Sequence, residues 1–230
     1  MDHFITIYTS RARDYHHLIL PEDTDQNLLP AIEHITPVHG QRILDLGSGT
    51  GRLPLLFGDR PAQLICLDLH AAMLAENAHQ RRHHRGRWSL VQGDMSRLPL
   101  PDGWAEVVTA GWALGHFTGW YVDWQAKMQR VLAEMHRLVA PGGALLIMET
   151  LTTGSLTPAP PTEALGQYYA WLESDWGFSR QEIRTDYQFA SVKEAVAKTE
   201  FFFGPELVEK IRRNGWARLP EWTGVWGKKL

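Results

Sequence analysis

The feature that most constrains this chain is an apolar run that ends in a glycine-rich turn. Residues 42–51 read RILDLGSGTG, so Gly47, Gly49 and Gly51 follow a segment typical of a buried β-strand. Glycines two apart allow a sharp turn, and they let a ligand approach the backbone with no Cβ in the way. Ligands of open α/β sheets bind outside the carboxyl ends of the strands. The turn therefore predicts a fold class and a binding site together.

Further apolar runs follow at intervals and alternate with stretches of helical period. This alternation is the signature of βαβ units and of a parallel sheet. The clearest helix is predicted for residues 121–139, where Pro141-Gly142-Gly143 would end it. We predict an α/β, Rossmann-like, mostly parallel sheet of about seven strands with helices on both faces. Its first five strands are predicted in QRILDLG, QLICLDL, RWSLVQGD, AEVVTAGWAL and GALLIMET.

The 230 residues lie in the size range of one α/β domain, and 44% of them are hydrophobic, enough for a continuous core. We predict a single domain over 1–230, with an N-terminal helical segment (1–40), a ligand-binding core (41–150) and a C-terminal part (151–230). The Gly-, Pro- and Thr-rich stretch 152–163 marks the start of a helical insert after strand five. Beyond it we predict a helix in GQYYAWLESDWG, a strand in FSRQEIRTDYQF, two helices, and a closing strand in ARLPEWTGVWGKKL.

Charge and cysteine content limit the partners and the compartment. The formal net charge is −3, and a protein that neutralises many phosphates would be basic, so we predict no nucleic-acid partner. The apolar runs fall far short of the ~20 residues of a membrane helix, and MDHFITIY has no leader character. Cys66 is the single cysteine, which fits a reducing compartment. We expect a cytoplasmic protein with no membrane span.

The spacing within the glycine turn indicates what kind of ligand it holds. A dinucleotide fingerprint reads G-x-G-x-x-G and faces a pyrophosphate, whereas this turn reads G-x-G-x-G with Asp45 two residues before the first glycine. A carboxylate beside the turn would attract a cationic ligand and repel a phosphate. The alternative is that Asp45 orients the turn and does not touch the ligand.

Two more carboxylates follow the next two predicted strands. Asp68 ends LICLDL, where a carboxylate is placed to accept hydrogen bonds from both ribose hydroxyls. Asp94 follows the third strand in LVQGDM, where it would accept from the exocyclic amine of adenine, with the backbone of Met95 against the ring. Glycine turns also arise from plain strand-to-helix geometry. With both acids in register, however, a nucleoside-containing ligand is the better interpretation.

These motifs resemble those of the class I S-adenosylmethionine-dependent methyltransferases, in the broad group that includes ubiquinone and menaquinone methyltransferases. The resemblance covers roughly 41–150, including Pro141-Gly142-Gly143 before strand five. It implies that the glycine turn holds the methionine part of the donor, Asp68 the ribose, and Asp94 with Met95 the adenine. The donor site would then comprise Asp45, Gly47, Ser48, Gly49, Gly51, Asp68, Leu69, Met73, Asp94, Met95, Ala110 and Gly111.

The acceptor would approach beyond the end of strand four, where the sequence reads AGWALGHFTGW. His116 is the candidate general base or acceptor-positioning residue, since a histidine pKa near ~6.5 suits neutral pH. The alternative is that it only orders its loop. The N-terminal segment resembles a lid that many small-molecule methyltransferases fold over the donor. Aromatic residues there, after strand four and in the insert would line an acceptor pocket or simply pack the core; the candidates are Tyr15, Trp112, Trp120 and Tyr168.

Absent motifs narrow the chemistry. Residues after strand four do not read Asn-Pro-Pro-Tyr, Cys66 lies in a strand rather than in a catalytic loop, and clustered metal ligands are missing there, so we predict no metal. The sequence thus predicts methyl transfer from S-adenosylmethionine to a small, apolar or aromatic acceptor. A non-catalytic S-adenosylmethionine binder is the alternative. A nicotinamide-dependent oxidoreductase fits the glycine spacing and Asp94 less well. Whether oxygen, nitrogen or carbon is methylated, and the oligomeric state, stay open.

Overall fold

A seven-stranded sheet in the order β3-β2-β1-β4-β5-β9-β6 forms the centre of this computed structural model, which describes residues 2–230. Strand β9 runs antiparallel to both of its neighbours, and the other strands of the sheet are parallel to one another. The predicted mostly parallel sheet is confirmed. The strands are β1 (Arg42–Leu46), β2 (Gln63–Asp68), β3 (Ser89–Gln92), β4 (Ala105–Gly111), β5 (Val139–Thr153), β6 (Ser179–Arg184) and β9 (Glu221–Lys229), with β7 (Tyr187–Gln188) and β8 (Arg218–Leu219) in a separate pair.

Helices cover both faces of the sheet, because successive strand residues point to opposite sides. Leu44 and Leu46 of β1 pack into the core layer that α7 and α8 cover, while Ile43 packs into the layer beneath α3 and α4. In residues 2–230, no helix has the length and apolarity needed to cross a bilayer. The helices are α1 (His3–Ser10), α2 (Ala12–Ile19), α3 (Leu28–Ile35), α4 (Arg52–Phe57), α5 (Ala71–Arg81), α6 (Phe117–Trp120), α7 (Trp124–Leu138), α8 (Glu163–Ser174), α9 (Val192–Phe203) and α10 (Pro205–Asn214).

Helix α7 and strand β5 meet differently from the prediction. The helix ends at Leu138, and β5 begins at once with Val139, which pairs with Ala105. The segment Pro141-Gly142-Gly143 therefore lies inside an irregular start of β5 rather than between the two elements. Gly142 has a φ of +80°, and the pairing of β4 with β5 shifts register at this point.

The last third contains two interruptions that the pattern did not reveal. The stretch predicted as one strand divides into β6 and β7 on either side of Asp186, which is ion-paired with Arg184 and Arg218. Its carboxylate also accepts a hydrogen bond from the backbone N–H of Glu221. The closing strand divides at Pro220, which has no N–H to donate to a ladder. A small second sheet results, next to the main one.

The N-terminal helices lie over the carboxyl end of the sheet. Residue 1 lies outside the described residues. In α1 and α2, Ile7, Tyr8 and Ala12 are buried together with Met73 of α5. The buried His16 side chain of α2 is hydrogen-bonded to the hydroxyl of Thr50, with Nδ1 and Oγ1 3.1 Å apart. The segment expected to act as a lid is thus packed onto the glycine turn and the helix after β2.

Candidate functional site

The glycine turn after β1 needs glycine for reasons that lie mainly within the protein. Gly47, Gly49 and Gly51 have φ values of +69°, +53° and +98°, in the left-handed region that side chains disfavour. A Cβ on Gly47 would lie 2.5 Å from the Cβ of Ala113, and one on Gly51 would lie 2.9 Å from the Asn77 side chain. The close neighbours at these two positions are therefore protein atoms. Glycine is therefore required at these two positions by contacts within the protein, and the close approach of a ligand to the turn stays a prediction.

Asp68, at the end of β2, holds the glycine turn in place. Its Oδ2 accepts a hydrogen bond from the backbone N–H of Gly49, and its Oδ1 accepts one from that of His70, both at 2.8 Å. Burial raises the pKa of this carboxyl, and these two N–H groups oppose that rise. Each carboxylate oxygen keeps a further acceptor site, because it carries two lone pairs. Asp68 is therefore able to shape the turn and accept hydrogen bonds from a ligand at once.

A cavity of about 250 Å³, called the first cavity below, opens above the turn at the carboxyl end of the sheet. Nine of the twelve predicted donor-site residues line it: Gly47, Ser48, Gly49, Asp68, Leu69, Met73, Asp94, Met95 and Gly111. The buried hydroxyl of Ser48 has no hydrogen-bond partner within residues 2–230. A buried polar group without a partner is costly, so a ligand that pairs with this hydroxyl would gain free energy.

Three predicted donor-site residues do not line this cavity. Asp45 is buried, and its Oδ1 accepts a hydrogen bond from the hydroxyl of Thr109 at 2.7 Å. Burial raises the pKa of Asp45 to about 7. Gly51 faces Asn77, and Ala110 is fully buried within β4. Although its Oδ2 has no hydrogen-bond partner within residues 2–230, Asp45 does not line the first cavity, so its position disfavours a direct ligand contact.

The far side of the first cavity is suited to a flat, partly polar group. Asp94 is exposed, and its Oδ1 accepts a hydrogen bond from the backbone N–H of Ser96 at 2.8 Å. Leu69 is 58% exposed and lines the cavity, which is an unusual position for a leucine side chain. Met73 and Met95 also lie on the wall. Adaptable apolar side chains beside a carboxylate suit a ring that carries an amine.

A second cavity, of about 800 Å³, lies next to the first under the N-terminal helices. It is bounded by α1, α2, the end of β5, α8 and the α9–α10 pair, with Phe202 and Phe203 on its wall. The two cavities are adjacent, because seven residues line both of them and form a shared wall. The shared residues are Tyr8, Tyr15, Ile19, Arg52, Trp112, His116 and Trp120.

His116 lies on this shared wall, in the turn before α6. Its Nε2 and the Tyr8 hydroxyl share a hydrogen bond of 2.8 Å, and its ring stacks on Trp120 with centroids 4.8 Å apart. Burial lowers the pKa of His116 to about 4. The imidazole is therefore neutral near pH 7, and it is a much weaker base than the expected pKa near ~6.5 implied.

Trp112 occupies a strained position at the end of β4. It has a φ of +52°, which is rare for a bulky residue, and its N–H donates to the carbonyl of Met148 at 2.6 Å. The guanidinium carbon of Arg52 lies 3.3 Å from the centroid of its indole ring. Tyr15, on the same wall, keeps its proton, since burial raises its pKa to about 12. The predicted residues Tyr15, Trp112, His116 and Trp120 thus come together from two segments, helix α2 and residues 112–120.

Comparison with known proteins bears directly on this arrangement. Residues 44–147, from β1 to β5, match the family model described as "Methyltransferase domain". Residues 44–147 form a class I methyltransferase domain. The resemblance seen in the sequence is therefore confirmed for the part of the chain that carries the glycine turn, Asp68 and Asp94.

Relatives with curated names agree with this domain. The chain is 33% identical over 132 residues to a demethylmenaquinone methyltransferase of Thermus thermophilus, which covers 56% of this chain and 53% of the relative. It is 34% identical over 175 residues to a malonyl-[acyl-carrier protein] O-methyltransferase of Serratia marcescens, with 75% and 57% covered. The chain thus spans about half the length of the curated relatives it matches.

A solved structure shares the fold. A putative methyltransferase from Bacillus halodurans superposes with a TM-score of 0.55 at 17% identity, over 89% of this chain and 98% of that one. Because 89% of this chain is covered, the likeness extends beyond β5. At this identity it supports the fold and leaves the chemistry to the residues of the site.

Tyr168, in α8, does not lie where the sequence suggested. Tyr168 is fully buried in the core layer beneath α8 and lines neither cavity. Its neighbour Tyr169 lines the second cavity instead and donates its hydroxyl hydrogen to the carbonyl of Thr150 at 2.7 Å. One residue along a helix turns a side chain by about 100°. That rotation separates a core residue from a wall residue, and the apolar pattern of the helix does not distinguish the two.

Sequence reasoning missed two charged residues of the site. Glu149 ends the buried run of β5, accepts a hydrogen bond from the N–H of Gly115 at 2.8 Å, and lines the second cavity. Burial raises its pKa to about 8. Arg52 follows the glycine turn directly and is ion-paired with Glu22 of the N-terminal segment. A carboxylate at the end of a buried strand was the available signal for Glu149.

Proposed function

We propose that this chain transfers a methyl group from S-adenosylmethionine to a small-molecule acceptor that is apolar or aromatic. The observation that supports the proposal is the shared wall of the two cavities. The first cavity has the glycine turn and acids that suit the donor, and the second has nine Phe, Tyr and Trp side chains on its wall. Two substrates that meet at one wall are what an in-line transfer between them requires. The two relatives are named as methyltransferases of two different acceptors, demethylmenaquinone and malonyl-[acyl-carrier protein]. Both names agree with methyl transfer as the class of reaction.

The residues of the first cavity fit the donor portion by portion. The glycine turn and the unpartnered Ser48 hydroxyl would hold the amino-acid portion, and Asp68 the ribose hydroxyls. Asp94 and Met95 would contact the adenine, with Leu69 and Met73 against its faces. When bound, S-adenosylmethionine supplies a methyl group on a sulfonium, and its methyl would point towards the second cavity.

The residues on the shared wall would align the acceptor and exclude water. Tyr8, Tyr15, Trp112 and Trp120 surround this point with aromatic surface, which lowers the local dielectric and restricts the orientations of an acceptor. In the tautomer whose Nε2–H donates to the Tyr8 hydroxyl, Nδ1 of His116 would accept a hydrogen bond from an acceptor or take up its proton. Its lowered pKa, about 4, favours the positioning role over that of a strong base.

Two other functions predict different ligand behaviour. A non-catalytic S-adenosylmethionine binder would fill the first cavity and show no transfer. An oxidoreductase would bind NADH, but the turn lacks the G-x-G-x-x-G spacing. Titration calorimetry with S-adenosylmethionine, S-adenosylhomocysteine and NADH separates the ligand classes. We expect binding of the first two. NADH binding without S-adenosylhomocysteine binding would refute the proposal.

A methyl-transfer screen then addresses catalysis. Labelled S-adenosylmethionine is offered with phenols, amines and quinone-like carbon acceptors, and labelled products are separated from unreacted donor. We expect transfer to at least one aromatic acceptor. Donor binding with no transfer across all three classes would favour the non-catalytic binder.

The domain organisation, the compartment and the partners of this chain are also proposals. We propose a single methyltransferase domain over 1–230 that acts in the cytoplasm, with a small-molecule acceptor and without a nucleic-acid partner or a metal. The net charge of −3 and the single, buried Cys66 support this proposal. Within residues 2–230, no cluster of three or more His, Cys, Asp or Glu side chains is placed to hold a metal ion.

A further inference from the structure

Arg52 occupies the point where the two cavities meet. It is the first residue of α4, directly after the glycine turn, and it lines both cavities. Its side chain is 16% exposed, and its guanidinium stacks on the indole of Trp112. An arginine that stacks on an aromatic ring is held in one orientation. The directions of its N–H groups, which lie in the plane of the guanidinium, are therefore fixed.

The hydrogen bonds of Arg52 are incomplete. Its Nη2 donates to Oε1 of Glu22 at 2.5 Å, and Glu22 is almost fully buried, with 2% of its side chain exposed. A guanidinium has five N–H donors. Within residues 2–230, Nε and Nη1 have no acceptor. Since Arg52 lines both cavities, these donors are accessible to a ligand that brings oxygen atoms.

The positions of the other positively charged side chains indicate which part of the ligand Arg52 would contact. The donor's amino-acid portion carries an ammonium and a carboxylate. The other lysine and arginine side chains on the first cavity, Lys127 and Arg130, come from α7, and Lys127 lies over the ring of Tyr121. Arg52 is therefore the guanidinium next to the glycine turn, on the side where the amino-acid portion would lie.

We infer that Arg52 binds the carboxylate of the donor's amino-acid portion through the N–H groups that Glu22 leaves free. This inference rests on the proposed function, because it assumes that the first cavity holds the donor. A carboxylate and a guanidinium match in plane and spacing, and a stacked arginine gives up little further freedom on binding. Trp112 and Glu22 would then hold Arg52 in place for the ligand.

The test compares two ligands that differ only in this carboxylate. S-adenosylhomocysteine and its decarboxylated analogue are titrated calorimetrically into the wild type and into Arg52→Met. We expect the substitution to weaken S-adenosylhomocysteine binding roughly ten- to a hundred-fold, the range for hydrogen bonds between charged groups. The decarboxylated analogue should bind both proteins within about two-fold, and this binding also shows that the variant is folded.

A matched control is available in the same chain. Arg184 is also ion-paired with an acid, Asp186, and also lies over a tryptophan ring, that of Trp222, but it lines neither cavity. Arg184→Met should leave the affinity for both ligands unchanged. If Arg52→Met does not fold, Arg52→Lys keeps the charge and loses the fork, and should weaken S-adenosylhomocysteine selectively to a smaller extent.

The possible results distinguish a failure of the inference about Arg52 from a failure of the proposed donor site. Equal weakening of both ligands would mean that Arg52 shapes the cavity without contacting the carboxylate, and would overturn the inference. Unchanged affinity for S-adenosylhomocysteine would overturn it as well. Failure of the wild type to bind either ligand would instead refute the proposed donor site itself.

Discussion

The hydroxyl of Tyr8 and the Nε2 atom of His116 lie 2.8 Å apart, although 108 positions separate them in the chain. This hydrogen bond joins helix α1 to the turn after β4. A second one runs from the indole N–H of Trp120 to Oδ1 of Asp2, the residue that caps α1. The N-terminal helix and the wall between the two cavities are therefore a connected unit, and several predictions rest on that connection.

Replacement of His116 tests its role on the wall. We expect His116→Asn to keep the affinity for S-adenosylhomocysteine, because His116 is placed at the acceptor side of the first cavity. A proton-accepting role predicts a loss of kcat of roughly a hundred-fold or more, whereas a positioning role predicts a higher KM for the acceptor. The measurement is steady-state kinetics with an acceptor from the screen. Unchanged kcat and KM at every pH would exclude both roles.

Tyr8→Phe tests the hydrogen-bond partner of His116. If His116 positions the acceptor, this variant should also raise the KM for the acceptor.

The protonation of His116 gives a prediction that needs no acceptor. Burial lowers its pKa to about 4, below the ordinary value near ~6.5, so the folded state disfavours its protonation. The stability that this group contributes is present above pH 6.5 and is lost as the pH falls towards 4. Histidine ring proton signals in an NMR titration, assigned by their loss in His116→Asn, should show this ring neutral down to about pH 5. A midpoint near 6.5 would contradict the prediction.

Asp68 should prove essential to donor binding. Asp68→Asn replaces a charged acceptor that faces both the glycine turn and the first cavity. We expect S-adenosylhomocysteine to bind roughly ten- to a hundred-fold more weakly, equivalent to about 1.5 to 3 kcal/mol. Calorimetry provides the measurement, and Asp59→Asn, at an exposed position off both cavities, serves as control. Equal affinity in Asp68→Asn and wild type would remove Asp68 from the site.

The N-terminal helices should respond to the donor. Because α1 and α2 pack on the wall of the first cavity through Tyr8 and Tyr15, a ligand there would oppose their opening. We expect S-adenosylhomocysteine to slow amide exchange in residues 2–20, measured by mass spectrometry. Helix α10, on the far side of the second cavity, provides the internal reference. Equal exchange in α1 and α2 with and without ligand would refute a lid that the donor orders.

Glu149 predicts a particular dependence of stability on pH. Burial raises its pKa to about 8, so the folded protein binds a proton that the unfolded chain releases near pH 4. The stability from this group is present at low pH and is lost as the pH rises through about 8. Glutamine resembles the protonated form. From pH 5 to pH 8, the free energy of unfolding of Glu149→Gln should therefore rise relative to wild type, by up to about 1.4 kcal/mol per pH unit. The measurement is urea unfolding of both proteins at each pH. A difference in their free energies of unfolding that stays constant from pH 5 to pH 8 would contradict the prediction.

The parts of this protein that its sequence determined are those that depend on neighbours along the chain. The apolar run of β1 indicates a buried strand, and the glycine turn, Asp68 and Asp94 each stand at the end of a predicted strand. In a parallel sheet those ends share one edge, so local pattern was enough to bring these residues to a common site. Tertiary contacts add constraints that the local pattern does not show: a Cβ on Gly47 would clash with Ala113, and Asp45 accepts a hydrogen bond from Thr109.

The rest was decided by tertiary structure alone. Tyr8 meets His116, and Glu22 meets Arg52, because segments far apart in the chain pack over the same sheet edge. The pKa values of His116 and Glu149 follow from burial, which no residue type reveals by itself. Tyr168 belongs to the core rather than to the pocket because of its angle around α8. The spacing of apolar residues along a strand or helix predicts which of its faces is buried. Which residues that face then contacts depends on how the whole chain packs.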